Sequence, residues 1–211
     1  MPGDVPTLPE SVAETLLRAG FSTAGEFDQQ IVENLTSRDP RHRVLALRAG
    51  VRRGIVSLEQ WRAALADPEV TARREALTLL AYEEIDFDLV APLVLEALND
   101  EDALVVDGAI FALAEHVHGD AVEQLSTIAL SHEDARCRES AVAALGVLGD
   151  DRGRRAVLAA LEDKPPVRRR AIVALSNFEG PDIEAALARA SEDRDWQVRA
   201  AVDQLTKEEP D

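Results

Sequence analysis

The sequence predicts an all-α protein of the α-solenoid class, a stack of antiparallel helix pairs. Three observations predict it. One short pattern recurs six times, each copy carries its apolar residues at helical spacing, and no stretch reads as a convincing β-strand. The copies are HRVLALRAG (from His42), ARREALTLLA (from Ala72), VVDGAIFALA (from Val105), CRESAVAALG (from Cys137), VRRRAIVALS (from Val167) and VRAAVDQL (from Val198). Their second positions are Arg43, Arg73, Val106, Arg138, Arg168 and Arg199, separated by 30, 33, 32, 30 and 31 residues. Apolar residues at offsets 0, 4, 5, 7 and 8 from the start of a copy form a wide stripe on one helix face. One helix pair cannot bury such a face alone, but stacked pairs can.

Taken in chain order, residues 1–10 read as a disordered tail. Residues 11–38 hold two capping helices, with capping boxes at Ser11/Glu14 and Thr23/Glu26. The repeats fill 39–206. Asp39-Pro40 and Asp67-Pro68 precede two of the patterned helices, where Asp caps free amides and Pro fits the first helical position. The intervening first helices start at Ser57, which opens a capping box with Gln60, and then span 87–99, 121–131, 152–162 and 182–192. Residues 11–206 thus read as one domain, with 207–211 frayed.

Composition fits this reading and narrows function. Of the 211 residues, 46% are hydrophobic but only 4% aromatic, so the core is mainly Ala, Leu and Val. Small side chains let helix backbones approach closely, and Ala and Leu favour helix. The net charge of −17 repels phosphate backbones and argues against nucleic acid as a partner. The single cysteine, Cys137, excludes an intrachain disulfide and a cysteine-based zinc site. The first ten residues carry no basic region and no apolar run, and no membrane-spanning run occurs, so a soluble cytoplasmic protein is expected, with no membrane partner. No P-loop, dinucleotide fingerprint or Ser-His-Asp motif points to a cofactor or a catalytic centre, so the expectation is no cofactor and no enzyme activity.

The pattern Asp…Val-Arg-x-x-Ala-x-x-Ala-Leu-Gly resembles the HEAT-like repeats, in the short form named after phycobilisome lyases. Asp134 to Gly146 is the best match and Asp163 to Leu175 is nearly as good; the resemblance covers roughly 39–205. It implies about six repeats in a right-handed superhelix whose second helices line a concave face, the usual surface for binding other proteins. It does not imply one activity: most members are scaffolds or adaptors. A few are bilin lyase subunits, DNA-alkylation repair glycosylases or a di-iron hydroxylase. The hydroxylases use His-Glu pairs at matching places in several helices, whereas His132-Glu133 stands alone here.

The recurring arginines, Arg43, Arg73, Arg138, Arg168 and Arg199, are expected to form a structural ladder. Each guanidinium would pair with a turn carboxylate such as Asp39, Asp67, Asp134, Asp163 or Asp193, because its planar fork holds oxygens bidentately. The basic cluster Arg152, Arg154, Arg155, Lys164 and Arg168 to Arg170 is balanced by Asp150, Asp151, Glu162 and Asp163 and reads as a solvated face. His116 continues the apolar stripe at offset 11, where other copies have Leu148 and Phe178, and is expected to pack. His118 precedes Gly119, read as a helix stop, where an imidazolium suits the helix dipole. Cys137 fills a slot that other copies give to Val and reads as a buried structural thiol.

Charge is unevenly spread. Glu75 to Ala135 contains no Lys or Arg in 61 residues but 15 carboxylates. Such a surface either solubilises the turns or attracts a basic protein partner and speeds its capture. Three features at its centre favour the second reading: Val106 replaces the ladder Arg, Gly108 stands inside a helix, and Phe111 sits where other copies have Arg48, Thr78, Ala143 and Val173. Phe111 reads either as a binding anchor or as packing on a neighbouring repeat. The expected contact residues are Asp107, Phe111 and Glu115, with Asp100, Glu101 and Asp102 in the preceding turn. Those acidic loops lack the Gly and the spacing of an EF-hand. The expected function is a protein-binding scaffold, with a bilin-lyase-like enzyme subunit and a nucleic-acid repair protein as the alternatives.

Overall fold

The computed structural model describes residues 11–22 and 25–207, and these hold thirteen α-helices and no strand. Thr23 of the second expected capping box, the expected tail 1–10 and residues 208–211 of the expected frayed end lie outside the described residues. The chain divides into two compact units between Ile85 and Asp86.

The first unit holds α1 (Val12–Ala19), α2 (Asp28–Asn34), α3 (Pro40–Arg52), α4 (Leu58–Leu65) and α5 (Val70–Tyr82). Ser11 opens α1 with a complete capping box to Glu14, and Ser57 opens α4 with one to Gln60. Asp39 caps α3 by accepting from the Arg41 amide at 2.8 Å, with Pro40 in the first turn. Leu16, Ala19, Phe27, Ile31, Ala46 and Ala49 form one buried cluster that ties α1 and α2 onto α3.

The second unit holds α6 (Phe87–Ala97), α7 (Ala103–Glu115), α8 (Val122–Ser131), α9 (Ala135–Leu148), α10 (Arg154–Ala159), α11 (Pro165–Leu175), α12 (Pro181–Ala190) and α13 (Trp196–Lys207). The patterned helices stack in order, α7 on α9, α9 on α11 and α11 on α13. The Ala at offset 4 explains how they approach: Ala46, Ala76, Ala109, Ala141 and Ala171 are all fully buried. At one crossing the approach is closer still, since a Cβ on Gly146 would lie 2.7 Å from the Ala174 Cβ.

The helix expected over 152–162 is broken. A 3-10 turn at Asp151–Gly153 leads into α10, and another at Ala160–Glu162 closes it. Gly153 sits against α9, where a Cβ would meet Leu145 at 2.8 Å. Such 3-10 turns are frequent at helix termini, and one also leads into α8 at Gly119–Ala121.

The repeat at α13 differs from the three before it. Offsets 5 and 8 are apolar and buried in α7, α9 and α11, and Ile172 at offset 5 packs into a cluster with Val198, Ala201 and Val202 of the following repeat. In α13 the same offsets carry Asp203 and Thr206, both exposed.

Candidate functional site

The geometry that recurs from repeat to repeat belongs to the arginines. Each ladder Arg donates from Nη1 to a carbonyl five or six residues before it: Arg43 to Ser37, Arg73 to Asp67, Arg138 to His132, Arg168 to Asp163 and Arg199 to Asp193, all at 2.7–2.8 Å. Nε and Nη2 of Arg43, Arg138 and Arg168 grip both oxygens of Asp67, Asp163 and Asp193, one repeat further on. One aspartate therefore joins two arginines, through its carboxylate and its own carbonyl. This gives Arg43–Asp67–Arg73 in the first unit and Arg138–Asp163–Arg168–Asp193–Arg199 in the second.

Two expected ladder carboxylates do something else. Asp39 and Asp134 stand four residues before the repeat Arg, over the first free amides, so they cap α3 and α9; Asp134 also pairs with Arg136 at 3.0 Å. Asp67 was expected to cap α5. It stands six residues before Arg73 and instead takes the Arg43 fork and the Glu69 amide, while α5 starts later, at Val70.

Burial opposes ionisation of Asp67, but the Arg43 fork and the Glu69 amide outweigh it and hold the carboxyl below its ordinary value. The guanidiniums of Arg138 and Arg168 do the same, against weaker burial, for Asp163 and Asp193.

At Val106 the pattern changes on both sides of the slot. Val106 is buried, and the position where the next repeat would offer an Asp is His132. The His132 Nδ1 accepts the Asp134 amide at 3.1 Å, as the Asp67 carboxylate accepts the Glu69 amide. An imidazole thus keeps the turn without the carboxylate that an absent Arg would leave unpaired.

The six candidate contact residues all lie on α7 or its leading turn. Asp100 accepts the Asp102 amide, and Asp102 caps α7 through the Leu104 amide at 2.8 Å, so both carboxylates hold backbone; Glu101 is exposed. Asp107, Phe111 and Glu115 occupy successive turns of one face. Asp107 is half-buried and accepts the Ser140 hydroxyl of α9, Phe111 is 40% exposed, and Glu115 is exposed.

That face continues across the stack. Offsets 6 and 10, which hold Phe111 and Glu115 in α7, hold Ala143 and Val147 in α9, and Val173 stands at offset 6 in α11. Val147 and Val173 are 59% and 51% exposed. The sequence reading named Val173 only as the counterpart of Phe111 and did not name Val147; extending the same comparison to offset 10 would have found it. Glu139 on the same face of α9 faces Arg170 of α11 at 3.7 Å.

The histidines are absorbed in packing. His116 stacks on Phe87 with centroids 3.9 Å apart, and His118 meets the same ring edge-on at 5.9 Å. The helix does not stop at Gly119. Val117 takes the left-handed conformation (φ 49°), with its amide on the Ala114 carbonyl and the His118 amide on Leu113, while Gly119 starts a 3-10 turn. This closure keeps both imidazoles on Phe87.

Cys137 is buried, donates weakly to the Ala103 carbonyl at 3.2 Å, and burial pushes its thiol up to about 11. Among the described residues no group of three or more His, Cys, Asp or Glu side chains is placed to hold a metal ion. Nor is any helix among them long and apolar enough to cross a membrane.

Stacked helix pairs with a shared Arg–Asp ladder and no strand define the class, an α-solenoid repeat protein. The chain belongs to the HEAT-repeat family, whose model matches residues 58–146 and 91–166. Among solved structures it is similar to an engineered protein (20% identity, 85% of this chain and 94% of that one, TM-score 0.62). It is also similar to the YibA protein of Escherichia coli (18%, 94% and 75%, TM-score 0.61). A third is a designed armadillo repeat protein in complex with the peptide (KR)4 (13%, 94% and 99%, TM-score 0.57). No curated protein matches the chain.

Proposed function

We propose that the chain is a non-catalytic cytoplasmic adaptor that holds an extended protein segment across the second-helix face of α7, α9 and α11. The observation that carries this is the row Phe111, Ala143, Val147 and Val173, apolar side chains at repeated, solvent-facing offsets. Exposed apolar residues in register on adjacent repeats supply anchors for a partner. Carboxylates border the α7 end of the row: Asp107 and Glu115 flank Phe111, and residues 86–135 contain twelve carboxylates and no Lys or Arg. A partner with Lys or Arg beside an apolar side chain fits that end, and the acidic field speeds its approach. The armadillo-type neighbour was solved with a basic (KR)4 peptide, so a fold of this kind accommodates a basic segment in that protein.

Affinity capture with the wild-type chain, followed by mass spectrometry, identifies the partner. A Phe111→Ala/Asp107→Lys double variant is then expected to lose capture, and the wild-type interaction to weaken as salt rises. Unchanged capture with unchanged salt dependence sinks the placement on α7.

A further inference from the structure

The terminal repeat carries a second surface, separate from the α7 face. Between the end of α11, α12 and α13 runs an open groove of 1020 Å³. Its floor is apolar: Phe178 and Ile183 are buried, and Leu187 and Leu205 are half-buried. Small side chains also line it: Ala188 of α12, Ser191 at its C-cap and Ser176 after α11. Its rim is acidic. Glu179, Glu184 and Asp203 are exposed, and no lining residue is Lys or Arg.

We infer that this groove docks an amphipathic helix of a partner protein, with leucine-type side chains on the floor and Lys or Arg along its borders. Size favours a peptide over a metabolite, since small-molecule pockets run from about 300 to 1000 Å³ and are more enclosed. An apolar strip edged by charge is what a helix with one apolar face matches. Charge also decides against the chain's own end: residues after Lys207 read Glu-Glu-Pro-Asp and would be repelled by Glu179, Glu184 and Asp203. Arg154, which reaches the Glu179 carbonyl at the groove's edge, is already engaged by Asp182 and Asp151.

The test uses a fluorescein-labelled Leu/Lys model helix and its Leu/Glu counterpart, with anisotropy read against the full chain at physiological salt. The Leu/Lys helix is expected to bind and the Leu/Glu helix not to. Glu184→Lys/Asp203→Lys, both on exposed positions, is expected to weaken binding at least tenfold, and so is Leu187→Gln. Phe111→Ala/Asp107→Lys is expected to leave it unchanged, so the groove and the α7 face fail or stand independently. Equal binding of the two helices, or groove variants that bind like the wild type, overturns the inference. Loss in the α7 variant alone overturns it too. A tenfold gain on deleting residues 208–211 puts the chain's own end in the groove and also overturns it.

Discussion

Arg138 closes its Nε and Nη2 on the two carboxylate oxygens of Asp163 at 2.6 and 2.7 Å, one repeat away. Asp163 then passes its backbone carbonyl to Arg168 of its own repeat at 2.8 Å. The interaction therefore ties α9 to the turn that starts α11, and Arg168 carries the link on to Asp193 and Arg199 in the next repeat. Both side chains are more than four-fifths shielded from water. Asp163→Ala leaves a largely buried guanidinium without its carboxylate, and the expected loss is about 2 kcal/mol, below the 3–5 of a fully buried pair. Urea denaturation followed by circular dichroism checks it. A loss under about 0.5 kcal/mol, the scale of an exposed ion pair, would mean that the ladder does not hold the repeats.

Acid should loosen the same ladder. The carboxyls of Asp67, Asp163 and Asp193 titrate below their ordinary 3.8 in the folded chain. A depressed folded value makes a contribution that is full above the unfolded value and is lost as pH falls through the folded one. Stability is thus expected to hold from neutral pH to about 4 and to fall below it. The stability gap between wild type and Asp163→Asn is expected to be widest above pH 4 and to close below it. A gap independent of pH between 7 and 3 refutes the electrostatic account.

The repeat was legible because five of the six copies keep an Ala at offset 4, where helices cross, and five keep an Arg at the second position. What stayed hidden depended on distances between copies. Nothing in the sequence of one repeat shows whether Asp39 or Asp67 is the ladder carboxylate; the difference is two residues of register relative to the Arg. The exposure of Val147 and Val173 depends on which helix stacks beside which. The α7 candidates were legible as departures from the repeat, but the Ser140 hydroxyl on Asp107 required α9 to be in place.

Val117 is a strained C-cap. It is the one non-glycine residue with positive φ among the described residues, it is β-branched, and it is 58% exposed. The same two-bond closure ends α3, where the left-handed position is Gly54 (φ 64°). A left-handed L-residue costs roughly 1–2 kcal/mol, against roughly 0.5–1 for the added freedom of an unfolded glycine. Val117→Gly is therefore expected to stabilise the second unit by about 0.5–1 kcal/mol. Thermal denaturation measures it, and a lowered midpoint would show that the Val117 side chain contributes more than its backbone strain costs.

Gly146 gives the opposite case, because its constraint is space. Its φ is ordinary, but an added Cβ would lie 2.7 Å from the Ala174 Cβ and 2.8 Å from the Ala174 Cα. A flexible side chain would move aside, whereas the α11 backbone cannot shift without disturbing Arg168 and its grip on Asp193. Gly146→Ala is expected to lose about 1–3 kcal/mol, the usual cost of overpacking, despite the better helix propensity of Ala. Ala174→Gly in the same chain removes the side-chain half of the clash but leaves the Cα. Partial rescue is therefore expected, with the double variant still below the wild type. If Gly146→Ala alone raises the urea midpoint, propensity outweighs packing at this crossing, and α9 and α11 are free to separate by the few tenths of an ångström the methyl needs.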